Sequence, residues 1–348
     1  MSSEGPLHIC VTRREQEKFL VQELVSRLPG LQCNELAPQV VALRGASLEQ
    51  ITIFPLFFSS QLLPDATPIE APSISAWTAA ILERLRDHFG DDAIPWSLHI
   101  FEPTTAETGE SYARADLIKQ ELRLLLKQKR RSLARSLQDS CSSECALAQV
   151  LLVSKTSGFI SITPPARRAL CRSTLSPYEA GFCAIDDDKR PPSRAFKKLR
   201  EALVVFGLSV ERGSTAVDLG ASPGGWTHVL VEHGATVTAI DRSPLEGAVA
   251  RDPRATFAQG NALTWTPPQA VDWLVCDVIT TPDKTFEILR AWIGNKLCRN
   301  FCVTIKFKGD PDLRALSQIG AFLTENTTWW DGRQLTHNKN EVTVAGRV

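Results

Sequence analysis

A glycine-rich segment is the first part of this sequence that points to chemistry. The run Asp218-Leu-Gly-Ala-Ser-Pro-Gly-Gly-Trp226 follows the β-branched stretch Thr215–Leu219 and precedes a predicted helix. Its glycines, Gly220, Gly224 and Gly225, allow the backbone to turn sharply and to approach a ligand closely. A single glycine would indicate only a tight turn. The order of strand, glycine loop and helix instead predicts a cofactor site at the carboxyl end of a strand, where open α/β sheets bind ligands.

Two polar residues further along the chain extend this predicted pocket. Asp241 ends the next strand-like stretch, about 20 residues on, where an acid can accept hydrogen bonds from a ribose diol. Asn261 follows Ala255–Ala258 and is expected to reach an adenine edge. The loop lacks GxGxxG spacing because position 222 is serine, so a dinucleotide-binding oxidoreductase is the poorer match. The pattern predicts these cofactor-binding residues: Asp218, Gly220, Ser222, Pro223, Gly224, Gly225, Trp226, Asp241 and Asn261.

The elements around this loop predict its fold class. Strand-like stretches alternate with helical ones, with strands expected at Thr215–Leu219, Thr236–Ile240, Trp273–Cys276 and Cys302–Phe307. Such alternation predicts an α/β domain with a mainly parallel sheet. We assign this domain to residues 191–348.

The first half of the chain has a different organisation. A predicted helix at Arg13–Leu28 is followed by strand-like stretches at Val40–Leu43 and Ile51–Phe54, which indicates a small α+β module over residues 1–72. A second α+β module is predicted over residues 73–170. Residues 171–190 are rich in Pro, Arg, Ser and Asp without a sustained period, which is typical of a linker.

One predicted helix in the second module carries a row of basic residues. Within Asp116–Arg135 a positive side chain recurs every fourth residue, at Lys119, Arg123, Lys127, Arg131 and Arg135. Like charges spaced in this way repel each other on a helix face, and they gain if phosphates lie along them. A solvated face is the ordinary interpretation of such a run, and phosphate binding is the alternative.

Composition narrows the possible partners and the compartment. The 39 acidic and 39 basic side chains cancel, so a nucleic acid must be held by local patches. No apolar run is long enough to span a membrane. The first residues lack signal-peptide character and the nine cysteines are scattered, which predicts reduced thiols in the cytoplasm. The pairs Cys141/Cys145 and Cys298/Cys302 lack the usual zinc spacing, so no metal site is predicted.

Five segments together resemble the ribose 2′-O-methyltransferases of the heat-shock RNA methyltransferase type. The glycine loop resembles the D-L-G-A-x-P-G-G-[WF] signature of that family, and Ser193–Leu199 resembles its S-R-[AS]-x-x-K-L element. Val271–Asp277, Thr304–Phe307 and Asn340–Val344 resemble its later strands. The order of elements agrees over Pro191–Val348.

The resemblance implies a function and a set of catalytic residues. It implies a Rossmann-like domain with a seven-stranded sheet that transfers a methyl group from S-adenosylmethionine to a ribose of RNA. Its catalytic residues fall on Lys198, Asp277, Lys306 and Glu341, with Asp277 also beside the cofactor and Arg194 as an RNA contact. Members with this order of elements modify a cytidine of large-subunit (23S) ribosomal RNA, and carry ferredoxin-like and THUMP RNA-binding portions in the amino-terminal half.

The chain also departs from the family pattern. Asn261 stands where many relatives have an acid, so an amide would replace the carboxylate at the adenine. The segment Phe307-Lys-Gly-Asp-Pro311 lacks the usual apolar–Pro–Met–Lys run. This second departure leaves the target nucleotide open.

The reaction explains why lysines are needed. A ribose hydroxyl is a poor nucleophile at neutral pH, so it must be oriented and lose its proton. A free lysine, with a pKa of about 10.4, is a proton donor. We expect burial and the nearby cation of Lys198 to lower the pKa of Lys306 so that it acts as the base. Asp277 is expected to orient Lys306, while Glu341 holds Lys198 and the ribose.

Three other functions remain as alternatives. A base methyltransferase is disfavoured because Val278–Pro282 contains no Asn/Asp-Pro-Pro-aromatic loop and Cys276 lacks an adjacent proline. A non-catalytic RNA-binding module is disfavoured by the intact catalytic set, and an oxidoreductase by the loop spacing. The histidines His228, His233 and His337 are assigned no role.

Overall fold

The computed structural model describes residues 5–90, 94–110, 112–171 and 173–348. The chain divides into two compact units, residues 1–183 and residues 184–348. Among the described helices, none combines the length and the apolar character that crossing a bilayer requires.

The first unit contains a four-stranded antiparallel sheet and two helices around it. The strands are β1 (His8–Val11), β2 (Gln32–Ala37), β3 (Val40–Arg44) and β4 (Gln61–Leu63), and the helices are α1 (Glu17–Arg27) and α2 (Leu48–Thr52). The order across the sheet is β2-β3-β1-β4. Three side chains of β1 and three of β3 are fully buried: Ile9, Cys10, Val11, Val40, Val41 and Leu43.

The strand predicted at Ile51–Phe54 is wrong. Ile51 lies in helix α2, which begins after Ser47. The Gln50 backbone N–H donates to Ser47 Oγ at 3.4 Å, and the Ser47 N–H donates to Gln50 Oε1 at 2.8 Å. This reciprocal capping box favours a helix start and outweighs the β-propensity of the short apolar run.

The same unit contains a second, five-stranded sheet. Its strands are β5 (Thr67–Glu70), β6 (Trp96–Phe101), β7 (Leu137–Gln138), β8 (Ala146–Leu152) and β9 (Ser157–Thr163), in the order β5-β9-β8-β6-β7. Its helices are α3 (Ile74–Phe89), α4 (Thr105–Thr108), α5 (Ala113–Lys129), α6 (Arg131–Ser136) and α7 (Pro165–Leu170). Helices α3 and α5 bury their apolar sides against this sheet, with Trp77, Ile81 and Leu122 fully buried.

The basic helix predicted at Asp116–Arg135 is interrupted. Arg130 has φ −144° and ψ 69°, so the chain leaves helical geometry between α5 and α6. Trp96 Nε1 donates to Leu133 O at 3.0 Å and holds the short helix α6 against strand β6. The predicted row of five basic residues is therefore divided between two helices.

The segment predicted as a linker is partly packed. Leu175, Ala180 and Cys183 are buried, and Gln61 Nε2 donates to the carbonyls of Ser176 and Tyr178 at 3.0 Å each. Residues 171–183 therefore belong to the first unit. The division of this unit near residue 72, and the THUMP-like and ferredoxin-like character of its parts, stay predictions.

The second unit contains the predicted seven-stranded sheet. Its strands are β10 (Thr215–Leu219), β11 (Thr236–Asp241), β12 (Ala255–Gln259), β13 (Val271–Cys276), β14 (Cys298–Lys306), β15 (Trp329–Arg333) and β16 (Glu341–Arg347). The order is β12-β11-β10-β13-β14-β16-β15. The first five strands are parallel, and β16 is antiparallel to both β14 and β15. The prediction of a mainly parallel α/β sheet is confirmed.

The order of these strands identifies a ligand-binding edge. The chain moves outward from β10 through β11 to β12, then returns to β13 on the other side of β10. Such a reversal opens a crevice at the carboxyl ends of the two central strands. The helices of this unit are α8 (Phe196–Val205), α9 (Gly225–Glu232), α10 (Pro282–Gly294) and α11 (Leu313–Asn326). Phe196, Trp226 and Trp273 share its main core cluster.

Candidate active site

The glycine loop lies at the reversal between β10 and β13. Gly220 has φ 78° and Gly224 has φ 115°, values that disfavour other residues. A Cβ on Gly220 would lie 2.7 Å from Val278 Cγ2, and one on Gly225 would lie 2.5 Å from Ser193 Oγ. The loop therefore needs glycine both for its conformation and for its close packing against the segments around it.

Asp241 ties the end of β11 to this loop. Its Oδ2 accepts a hydrogen bond from the Ser222 backbone N–H at 3.1 Å, and its Oδ1 accepts one from the Ser243 N–H at 3.0 Å. Each carboxylate oxygen keeps further acceptor capacity. Asp241 can therefore shape the loop and still accept hydrogen bonds from a ligand diol.

Two adjoining cavities open beside the loop. The larger, of about 340 Å³, is lined by Gly220, Ser222, Pro223, Gly225, Trp226, Asp241 and Asp277 among others. The smaller, of about 220 Å³, is lined by Asn261 and Gly260, and shares Gly220 and Asp241 with the first. An adenosine-containing cofactor needs room close to the backbone, an acceptor for its ribose diol and a polar group at its adenine. The glycine loop, the Asp241 carboxylate and the Asn261 amide can supply these three. These residues fit S-adenosylmethionine.

Asp218 and Gly224, also predicted as cofactor residues, do not line either cavity. The Asp218 carboxyl is buried, and Thr227 Oγ1 donates to its Oδ2 at 2.6 Å. Burial raises the pKa of Asp218 to about 7. Its Oδ1 has no hydrogen-bond partner within the described ranges. Asp218 therefore accepts a hydrogen bond from helix α9 and lines neither of these two cavities.

Four ionisable side chains converge beside the larger of these cavities. Lys198 Nζ lies 2.6 Å from Glu341 Oε1 and 3.3 Å from Asp277 Oδ2. Lys306 Nζ lies 2.7 Å from Asp277 Oδ1 and 3.4 Å from Glu341 Oε2. Each lysine thus contacts both carboxylates. We call these four residues the tetrad.

The secondary structure explains this convergence. Lys306 ends β14 and Glu341 begins the antiparallel β16, and the two residues are direct partners in the register. Asp277 follows the neighbouring β13, and Lys198 lies in the first turn of α8. Four segments that are far apart in sequence therefore meet at one edge of the sheet.

A further hydroxyl supports Asp277. Thr304 Oγ1 donates to Asp277 Oδ1 at 2.7 Å, and Thr304 is buried. Sequence reasoning did not select Thr304 as a site residue. Its position two residues before Lys306 on a strand, and hence on the same face, was the available signal.

The carboxylates keep Lys198 charged. Burial by itself lowers the pKa of Lys198, but attraction by Asp277 and the hydrogen bond to Glu341 outweigh burial, so the pKa is raised above its ordinary value. Lys198 therefore remains a cation at neutral pH. It cannot be the base for a hydroxyl proton.

A third cavity, of about 740 Å³, is also lined by residues of the tetrad. Lys198, Lys306, Glu341, Arg194, Lys308, His337 and Lys339 are among the residues that line it. Lys306 also lines the 340 Å³ cavity. We call the 740 Å³ space the substrate cavity and the 340 Å³ space the cofactor cavity.

The predicted RNA-contact residues lie in two regions. Arg194 lines the substrate cavity. The other five are in the first unit, where Lys119 Nζ is 2.7 Å from Glu179 Oε1 and Arg123 is 3.1 Å from Asp139. Lys127, Arg131 and Arg135 are exposed. Sequence reasoning missed Lys308, His337 and Lys339 in the substrate cavity.

A possible cation site outside this region is already compensated. Asp188, His228 and Glu232 have ligand atoms within 4.8 Å of one another. However, Arg190 and Arg200 both contact Asp188 and Glu232, at 2.6 to 2.9 Å. Because guanidinium groups neutralise these carboxylates, no metal is assigned here.

Comparisons with known proteins agree with this geometry. The family model of FtsJ-like methyltransferases matches residues 191–311. Ribosomal RNA large subunit methyltransferase M from Marinobacter nauticus is 34% identical over 219 residues, which cover 59% of each chain. The protein of the same name from Pseudomonas putida (strain GB-1) is 32% identical, covering 56% of this chain and 57% of that protein.

A solved structure is similar over a longer stretch but at a low score. TrmN from Thermus thermophilus is 12% identical and covers 99% of this chain and 100% of that one, with a TM-score of 0.36. The chain spans somewhat more than half the length of the curated relatives it matches. Residues 191–311 are thus similar to the FtsJ-like methyltransferases, and the chain is similar to proteins named ribosomal RNA large subunit methyltransferase M.

Proposed function

We propose that this chain transfers a methyl group from S-adenosylmethionine to a ribose 2′-hydroxyl of RNA. When bound, S-adenosylmethionine supplies a methyl group on a positively charged sulfur, which accepts attack only from the side opposite that sulfur. Gly220, Ser222 and Asp241 would hold the cofactor at the glycine loop, and Asn261 would contact its adenine.

The position of Lys306 carries this proposal. It lines both the cofactor cavity and the substrate cavity. A methyl donor in one space and a hydroxyl in the other would meet at the Lys306 side chain. This is the arrangement that a group transfer between two bound molecules requires.

We propose that the Lys306 amine accepts the proton of the ribose hydroxyl. Lys306 lines both cavities, and its amine can accept that proton when it is neutral. The pKa of Lys198 is raised by Asp277 and Glu341, so Lys198 is not assigned this role. Lys198 would then hold the carboxylates and stabilise negative charge that develops on the ribose oxygen.

The two carboxylates act as positioning groups. Asp277 lies 2.7 Å from Lys306 and accepts a bond from Thr304 Oγ1, so it fixes the direction of the Lys306 amine. Glu341 lies 2.6 Å from Lys198 and lines the substrate cavity, where it can accept a hydrogen bond from the incoming ribose. Neither carboxylate is assigned the first proton transfer.

The proposed substrate is large-subunit ribosomal RNA, at a cytidine. The name of the relatives and the match of residues 191–311 to an FtsJ-like model support large-subunit rRNA, and the cytidine is what the family resemblance implies. We also propose that the first unit assists RNA binding through Lys119, Arg123, Lys127, Arg131 and Arg135, and that the protein acts in the cytoplasm, where reduced thiols are maintained.

Mapping ribose methylation across total ribosomal RNA tests this proposal. RNA from cells with and without the gene is compared, with a third strain that carries the Lys306→Ala variant. We expect one ribose-methylated position to disappear in both the deletion and the variant strain. An unchanged ribose map together with a lost base methylation would contradict the proposal.

A further inference from the structure

A histidine on the wall of the substrate cavity is held by a buried carboxylate. Glu201 is 1% exposed and lies three residues after Lys198 in helix α8. Its Oε2 is 2.7 Å from His337 Nδ1 and accepts a bond from the His337 backbone N–H at 2.8 Å. Its Oε1 accepts a bond from the Thr336 N–H at 2.6 Å. A buried acid with this many donors fixes both the ring and the backbone of His337.

The same bonds determine which atom of the ring faces the cavity. An ionised carboxylate only accepts hydrogen bonds, so His337 Nδ1 carries a hydrogen. Nε2 is then the ring atom left for a ligand, and it has no hydrogen-bond partner in the described part of the chain. The side chain is 20% exposed and lines the substrate cavity. The ring is therefore oriented in advance toward whatever enters that cavity.

The charges around the cavity indicate what His337 would meet there. Arg194, Lys308 and Lys339 line the same space, and over the described ranges their side-chain nitrogens have no carboxylate oxygen within 4.0 Å. The tetrad beside them is neutral when both lysines are charged. The cavity therefore has an excess of positive charge, which favours an anionic group of the RNA.

We propose that His337 donates a hydrogen bond from Nε2 to a backbone phosphate next to the target ribose, and that Glu201 is the positioning residue for this contact. The proposal rests on the proposed function, because it takes RNA as the ligand of the substrate cavity. A phosphate oxygen only accepts hydrogen bonds, so this contact is made by the imidazolium form of His337, in which both ring nitrogens are donors. Arg194, Lys308 and Lys339 then surround the same stretch of RNA backbone.

Salt dependence of RNA binding tests this contact directly. Each phosphate neutralised by a cation releases counterions, so its loss reduces the slope of log K against log salt concentration by about 0.7 for single-stranded RNA. We would measure binding of the full chain to large-subunit rRNA transcribed in vitro, at several salt concentrations. His337→Asn retains an amide near the Nδ1 position and removes Nε2, so it preserves the Glu201 bond. His233→Ala, at an exposed histidine away from the cavity, is the matched control.

The inference predicts a specific combination of results. His337→Asn and His337→Ala should bind the RNA about tenfold more weakly than wild type at moderate salt, with the reduced slope. Affinity for S-adenosylmethionine should not change, and His233→Ala should match wild type. Glu201→Gln should raise the KM for RNA more than it lowers kcat, because it loosens the ring without removing it.

Other results would overturn the inference. Unchanged RNA affinity in both His337 variants, or weaker affinity with an unchanged slope, would mean that no phosphate contact is made. Equal loss of RNA and cofactor binding in His337→Asn would mean that the residue serves only the fold. The wild-type chain is assayed in parallel for methyl transfer, so a failure of the proposed function appears separately, as wild-type RNA binding without transfer.

Discussion

Lys198 and Glu341 are 143 positions apart in the sequence, yet Lys198 Nζ lies 2.6 Å from Glu341 Oε1. Lys198 lies in the first turn of helix α8, which precedes the glycine loop, and Glu341 begins β16, the last strand in the chain. Because Glu341 is also the register partner of Lys306, this contact brings the first and last segments of the domain to one point. The tetrad therefore forms only when α8, β13, β14 and β16 are in place.

Replacing Lys306 by alanine tests the proposed base. We expect Lys306→Ala to reduce the rate of methyl transfer by about 100-fold to 10,000-fold, the usual contribution of a positioned base. Affinity for S-adenosylmethionine should stay near normal, because the glycine loop and Asp241 are intact. Single-turnover transfer and calorimetric cofactor binding measure the two effects. Lys284→Ala, an exposed lysine of helix α10, is the control. Equal loss of binding and transfer would count against this role.

Replacing Glu341 by glutamine separates charge from shape. Gln keeps the size of the side chain but no longer balances the charges of Lys198 and Lys306, so transfer should fall by about 100-fold. Because Glu341 lines the substrate cavity and not the cofactor cavity, cofactor affinity should hardly change. Steady-state kinetics check the prediction beside Glu325→Gln, an exposed acid of helix α11. A variant that keeps most of its activity would remove Glu341 from the mechanism.

The buried Asp218 predicts an unusual dependence of stability on pH. Burial raises the pKa of Asp218 to about 7, from 3.8. The folded protein thus binds this proton more tightly than the unfolded chain, so the stabilisation is complete below about pH 3.8 and is lost as pH rises through about 7. Asp218→Asn has no such proton. The free energy of unfolding of wild type should therefore fall relative to the variant from pH 5 to pH 8, by an amount on the order of a few kcal/mol.

Denaturant unfolding at several pH values measures this difference. Asp283→Asn, an exposed acid of helix α10, serves as the control and should show a constant difference from wild type. A constant difference for Asp218→Asn as well would mean that Asp218 is already ionised at acid pH in the folded protein.

The glycine loop predicts a contrast between two glycines. In Gly220→Ala the alanine must adopt a positive φ, and its Cβ lies 2.7 Å from Val278 Cγ2. We expect the free energy of unfolding to fall by about 1–3 kcal/mol. We also expect cofactor binding to weaken by about tenfold or more, because the loop must shift. Gly294→Ala, at the end of helix α10, meets no atom within 4 Å and should be neutral or stabilising by up to about 1 kcal/mol. Thermal melts with and without cofactor distinguish the two variants. Equal behaviour would show that the loop tolerates a side chain.

The sequence predicted the second unit better than the first because the motifs that indicate the second unit each lie within a short stretch of chain. The glycine loop and the strand pattern from Thr215 onward each lie within a short stretch, and the structure has them where expected. In the first unit, the strand predicted at Ile51–Phe54 failed because the capping box at Ser47 outweighed an apolar run. The interruption at Arg130 was not predictable from charge spacing, since no Gly or Pro marks it.

The parts of the site that depend on distant contacts could not be read from sequence. The pairing of Glu201 with His337 joins residues 136 positions apart, and the sequence assigned neither residue a role. The spacing of Thr304 from Lys306 predicts a shared strand face, but the bond from Thr304 to Asp277 also depends on the pairing of β13 with β14. The spacing of the four tetrad residues in the sequence also did not show that each lysine amine contacts both carboxylates.

The nature of the methylated nucleoside tests the central claim most directly. Tritiated S-adenosylmethionine and large-subunit rRNA are incubated with the full chain, and the RNA is digested to nucleosides and separated. The account predicts that the label appears in a ribose-methylated nucleoside, and that Lys306→Ala leaves the RNA unlabelled. Label in a base-methylated nucleoside, or full labelling by Lys306→Ala, would contradict it.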